Sequence, residues 1–191
     1  KARPIADIST EISGTTLGII AIGAIGGKLA QAAAGMQMNV IALTRRPETL
    51  PLSIKPVTKE ELFSQSDVIA LCCPLNDQTR GLVDRTSIAL MKPTSLLINI
   101  SRGPVIDTQA VLDALKEGKI AGAAMDVHDL HPLSGEEVVF KYPNLLLTPH
   151  IASITASSMR GMSKGSVETI LSILNGREVN NIVNPEVLNK A

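Results

Sequence analysis

Neither sign of charge is in excess along this chain: eighteen lysines and arginines balance eighteen aspartates and glutamates. Without a basic surplus there is no electrostatic footprint for a phosphate backbone or an anionic bilayer, so no nucleic acid and no membrane is expected as a partner. Long apolar runs are missing too. None approaches the roughly 20 residues a membrane span needs, and Lys1-Ala2-Arg3-Pro4 lacks the apolar stretch of a signal peptide, so a soluble, cytoplasmic protein is expected. Cysteine is scarce: Cys72 and Cys73 stand side by side in an apolar stretch, which suits neither a disulfide framework nor a zinc ligand set and predicts buried, reduced thiols with no metal. Repeats, low-complexity tracts and an initiating methionine are also lacking, and the last of these suggests a fragment of a longer chain. What is present is ample for a core, since 45% of the 191 residues are apolar, within the size of one domain with extensions.

Short runs rich in branched residues recur at Leu17–Ile22, Val40–Leu43, Asp67–Leu71, Ser95–Ile100, Ala121–Val127 and Leu145–Leu147. None alternates cleanly with polar residues, as expected of strands covered on both faces. Between them Gly26–Ala34, Lys59–Gln65, Arg85–Met91 and Thr108–Glu117 read as helices. The last is the clearest: Asp107 and Thr108 offer N-cap oxygens, Ala110, Val111, Ala114 and Leu115 form an apolar stripe, and Gly118 supplies a stop. Such alternation predicts an α/β fold, a Rossmann-type doubly wound parallel sheet with helices on both faces. After the sixth run, Ser157–Leu174 reads as one long helix ended by Gly176 and followed by a polar tail.

The first run enters its helix through Ala21-Ile22-Gly23-Ala24-Ile25-Gly26, a small-residue turn in the position of a dinucleotide fingerprint. Gly23 would admit backbone to a pyrophosphate, and Gly26 would allow close helix–strand packing, with the helix N-terminus facing the phosphates. Ala21 stands where the first glycine belongs; if that turn needs a positive φ, the methyl costs about 1–2 kcal/mol. The second run ends in Thr44-Arg45-Arg46, with no carboxylate to bind a ribose diol. Two guanidiniums beside a hydroxyl suit a 2′-phosphate better, so the expected cofactor is NAD(P), with NADP favoured.

Cys73-Pro74-Leu75, Ile98-Asn99-Ile100-Ser101-Arg102-Gly103, Ala123-Ala124-Met125-Asp126-Val127 and Leu147-Thr148-Pro149-His150-Ile151-Ala152 then follow in order. Together they resemble the cofactor-binding domain of the D-isomer-specific 2-hydroxyacid dehydrogenases over roughly residues 13–176. The resemblance implies that Arg102 binds the substrate carboxylate and keto oxygen and that His150 is the acid–base. It further implies that Asp126 contacts the nicotinamide end and that Ala24, Ile25, Thr44, Cys73, Pro74, Ile100 and Ser101 line the cofactor. One catalytic position departs from the pattern. His131 stands where the family carries a glutamate that orients the catalytic histidine, and a second imidazole cannot act as that carboxylate does. Either the acid is dispensable here, or Asp129, Glu136 or Glu137 replaces it, or proton transfer is impaired.

These readings divide the chain into residues 1–12, entering from a missing N-terminal substrate domain; 13–153, the dinucleotide-binding domain; and 154–191, a long return helix and tail. The implied activity is hydride transfer between a nicotinamide cofactor and a small 2-oxo or 2-hydroxy acid, in a homodimer, with this chain alone inactive. A different class of function competes with it, a non-enzymatic nucleotide-sensing binder resembling the corepressors built on the same fold, for which an incomplete acid–base set is no handicap.

Overall fold

The structure, a computed structural model, describes residues 11–129, 141–179 and 182–186. Seven parallel strands form one sheet: β1 (Thr16–Ile20), β2 (Asn39–Leu43), β3 (Lys55–Pro56), β4 (Val68–Leu71), β5 (Leu96–Asn99), β6 (Gly122–Met125) and β7 (Leu145–Leu147). Their spatial order is β3-β2-β1-β4-β5-β6-β7. The chain therefore builds outward in one direction, returns to the far side of β1 and builds the other way, placing a switch point between β1 and β4. This is the doubly wound sheet expected from the apolar runs.

Four helices belong to this sheet: α1 (Ala24–Gly35), α2 (Lys59–Gln65), α3 (Arg85–Ala89) and α4 (Thr108–Lys116). Strand side chains alternate between its two faces, and successive residues accordingly join different cores. Ile19, Ala42 and Ala70 pack with Ala30 and Ala33 of α1. Ile20, Ile69 and Leu71 instead pack with Leu62 and Phe63 of α2, Ile88 of α3 and Val111 of α4. Fully burying a branched or aromatic side chain contributes about 1.5–3 kcal/mol, so these aliphatic layers are the main cohesive force.

Local chemistry fixes most helix ends where the sequence places them. Thr58 and Glu61 form a reciprocal capping box at α2, and the Asp84 and Asp107 carboxylates accept from backbone N–H groups at the starts of α3 and α4. Hydrogen bonds from the Ser87 hydroxyl and then the Ser87 amide hold the Asp84 carboxyl well below the ordinary carboxylate range. Gly118 adopts φ +67° just beyond α4, the left-handed conformation of a helix stop. β3 escapes the pattern reading because it is a two-residue edge strand with exposed side chains, one of them a proline that cannot extend a ladder.

The described residues up to His150 form one compact unit and those from Ile151 onward a second. In the second, α5 (Ala156–Leu174) starts at a Thr155–Ser158 capping box, and Gly176 follows its end at φ +64°. Among the described residues no helix is long and apolar enough to cross a membrane.

Candidate functional site

Strand register brings the sequence-derived residues to one edge of the sheet. Leu43, Ile20, Leu71, Asn99, Met125 and Leu147 are successive neighbours across six strands. Thr44 to Arg46, Cys73 and Pro74, Ile100 to Arg102, Asp126 and His150 all come one to three residues past that row. Their loops thus share the carboxyl ends of the strands, where open α/β sheets take their ligands. His131 lies outside the described residues.

On the β1, β2 and β4 side these loops surround a cavity of about 410 Å³ lined by Ala21, Gly23, Thr44, Arg45, Arg46, Cys73 and Pro74 among others. Ala24 and Ile25 begin α1 beside it. Gly23, the N-cap of α1, makes no side-chain cap and no acid stands in the first turn, whereas α2, α3, α4 and α5 each have a side-chain cap. The first amides of α1 are therefore left for an anion from outside the helix. A Cβ on Gly23 would meet nothing within 4 Å, while one on Gly26 would lie 2.4 Å from the Ala21 carbonyl oxygen. Open space above the first glycine and backbone contact at the second are the arrangement a pyrophosphate cradle requires.

Ala21 itself sits at φ +71°. The condition attached to this alanine in the sequence therefore holds, and its methyl carries the left-handed penalty of roughly 1–2 kcal/mol. Ala21→Gly should raise stability by about 0.5–1 kcal/mol, because glycine's greater unfolded-state entropy offsets part of that gain. Urea unfolding should show a higher midpoint at unchanged slope; a lower midpoint would contradict the strained turn.

Across the cavity mouth, Arg45 Nη1 donates to Gln78 Oε1 at 3.2 Å, and the Arg46 amide donates to Thr44 Oγ1 at 3.2 Å. Gln78 belongs to a turn that sequence reasoning missed, although Asn76, Gln78 and Thr79 all line the cavity. The available signal was the run of turn-forming polar residues Asn76-Asp77-Gln78-Thr79 a few residues past a strand end. Burial pushes the Cys72 thiol up to about 11. Burial also raises Cys73, partly offset by a hydrogen bond with Ser101. Both thiols are free, and this environment makes them lining groups rather than nucleophiles.

On the β5, β6 and β7 side, the buried Asn99 braces the loop that carries Arg102. Its Oδ1 accepts from the Ser101 amide at 2.9 Å, and its Nδ2 donates to the Arg102 carbonyl at 3.0 Å. The Arg102 side chain, exposed at this edge, folds back to donate from Nη1 to the Ser101 carbonyl at 2.7 Å. Ile100 lines a different cavity, of about 970 Å³, together with Leu17, Val68, Leu96 and Ile98. Asp126 is buried and accepts from Thr148 Oγ1 at 2.5 Å. Thr148 also donates its amide to the Met125 carbonyl at 3.0 Å, and its own carbonyl lies 3.2 Å from His128 Nε2. Two residues beyond this anchored threonine, His150 adopts φ +58°, a conformation that costs a non-glycine residue on the order of 1–3 kcal/mol and clusters at active sites.

The family model for the D-isomer specific 2-hydroxyacid dehydrogenase, NAD binding domain, matches residues 2–152. A glyoxylate reductase of Thermococcus gammatolerans is 38% identical over 191 residues, covering 97% of this chain and 56% of that protein. An acyclic imino acid reductase solved with NADPH and D-Arg superposes with a TM-score of 0.86 at 32% identity, over 95% of this chain and 58% of that one. The D-isomer specific 2-hydroxyacid dehydrogenase of Lactobacillus delbrueckii ssp. bulgaricus, solved with NAD, gives 0.85 at 31%, over 96% and 60%. The chain thus spans a little over half the length of the proteins it matches.

Proposed function

Because the chain belongs to the NAD-binding-domain family of the D-isomer-specific 2-hydroxyacid dehydrogenases, we propose that it holds a nicotinamide dinucleotide and, within a longer polypeptide, serves the reduction of a small 2-oxo acid or the reverse reaction. The observation that supports this reading best is the uncapped start of α1 over open space at Gly23, at the sheet's switch point. That is a fit for a pyrophosphate, with Thr44, Arg45 and Arg46 at the cavity's outer rim. When bound, the nicotinamide gives or takes the hydride.

The chain's own residues do the rest. Arg102 offers a planar fork of donors to the substrate carboxylate, and His150 donates a proton to the substrate oxygen during reduction or removes it in the reverse direction. Asp126 holds Thr148, at the foot of the segment that ends in His150. The remaining length of the longer relatives corresponds to a substrate domain that closes the second wall of the cleft, and the working protein is a cytoplasmic homodimer. The kinship with a glyoxylate reductase favours this catalytic reading over a nucleotide-sensing binder. Saturable glyoxylate or hydroxypyruvate reduction by the full-length parent tests it, and absence of turnover with either nucleotide would remove it.

NADP is the favoured form. A charge-assisted hydrogen bond contributes roughly 1.5–3 kcal/mol, so even one from Arg45 or Arg46 to a 2′-phosphate should make NADPH bind about tenfold or more tightly than NADH. Calorimetric titration of this chain with both nucleotides decides the point, equal affinity or an NADH preference counting against the arginines.

A further inference from the structure

Resting on that reading of the nucleotide cavity, we propose that Gln78 is the positioning residue that makes Arg45 selective for a phosphorylated ribose. Arg45 leaves the end of β2 and Gln78 lies in the loop after β4, 33 residues further on, yet Arg45 Nη1 donates to Gln78 Oε1 at 3.2 Å across the mouth of one cavity. An arginine on an exposed loop samples many rotamers, and ordering it weakens any contact it makes. Gln78 reduces that loss because its own backbone is fixed. Asn76 Oδ1 accepts from the amides of Gln78 and Thr79 at 3.0 and 3.1 Å, and Thr79 Oγ1 donates to the Pro74 carbonyl at 2.6 Å. The turn is thereby tied to the strand end itself.

The chemistry of the acceptor decides what the tether does. A guanidinium has five N–H donors, and one engaged by Gln78 leaves the others for an anion. An amide oxygen holds the group without neutralising it. A carboxylate at the same place would fix Arg45 equally well but would cancel its charge and repel a phosphate. Gln78 therefore presents a positioned, uncompensated cation, and its loss should affect only the nucleotide that carries the extra phosphate.

The experiment measures NADPH and NADH dissociation constants by calorimetry for this chain and for Gln78→Ala, Gln78→Glu, Arg45→Ala and the double variant Arg45→Ala/Gln78→Glu. Gln78→Ala should weaken NADPH about threefold to tenfold, and Gln78→Glu about tenfold or more, with NADH within about twofold in both. In the Arg45→Ala background the Gln78→Glu change should add little, since it acts through the guanidinium. Two results overturn the proposal alone: an NADPH to NADH ratio unchanged in both Gln78 variants, whether or not both affinities fall, or a full Gln78→Glu effect without Arg45. An Arg45→Ala variant that keeps the parent's ratio, or a parent chain that binds neither nucleotide, would instead bring down the reading of the cavity on which the proposal stands.

Discussion

Substituting His150→Gln in the full-length parent should lower kcat for 2-oxo acid reduction by about 10²–10⁴-fold, the range that general acid–base assistance supplies, while nucleotide affinity stays within about twofold. Glutamine keeps much of the size and hydrogen-bonding capacity of the imidazole but cannot exchange a proton near neutral pH. Location supports the assignment as well as chemistry. His150 follows β7 at φ +58°, and such backbone persists where the surroundings over-determine it. Here Thr148 is held at three atoms, by the Met125 carbonyl, the Asp126 carboxylate and the His128 ring, so the strained segment starts from an anchored point. Stopped-flow reduction with saturating NADPH separates the chemical step from binding. A fall of less than tenfold, or a nucleotide affinity that collapses with it, would mean that His150 is a structural residue and that the proton comes from elsewhere.

The sheet was legible because its strands are continuous apolar runs, a pattern that burial on both faces produces directly. Helix ends were legible where a side chain or a glycine marks them, as Asp107 and Gly118 mark α4. Where only backbone decides, they were not: α1 begins at Ala24, two residues before the expected Gly26, and α3 ends at Ala89 rather than Met91. The candidate site was legible as a set of motifs, and register explains why motifs so far apart in sequence share an edge. Its internal wiring was not, since the Arg45–Gln78 and Asp126–Thr148 contacts span 33 and 22 residues and no local pattern encodes them. Ile100 continues the alternation of Leu96 and Ile98 into the 970 Å³ cavity.

Gly103→Ala should be the most damaging single methyl in the sheet domain. Gly103 is buried at the start of the turn that follows Arg102, and a Cβ there would lie 2.2 Å from the His128 carbonyl carbon, 2.3 Å from its oxygen and 2.5 Å from the Asp129 amide. All three atoms are backbone, so no rotamer change relieves the clash. The loop after β5 or the loop after β6 must move, and each is tethered, the first by Asn99 to the Arg102 carbonyl and the second by Asp129 to Thr108 at 2.8 Å. Overpacking ordinarily costs about 1–3 kcal/mol and occasionally more, and with backbone on both sides the upper end, about 3 kcal/mol, is expected. Urea unfolding of this chain reads it as a lowered midpoint. Gly35→Ala is the control: that glycine closes α1 with nothing within 4 Å of its added methyl, and alanine there should stabilise by about 0.5–1 kcal/mol. In the full-length parent, any surviving Gly103→Ala protein should also show a raised KM for the 2-oxo acid at little-changed nucleotide affinity, because the loop that yields carries Arg102. A Gly103→Ala stability within about 1 kcal/mol of the parent would show that the loops after β5 and β6 do not meet as described.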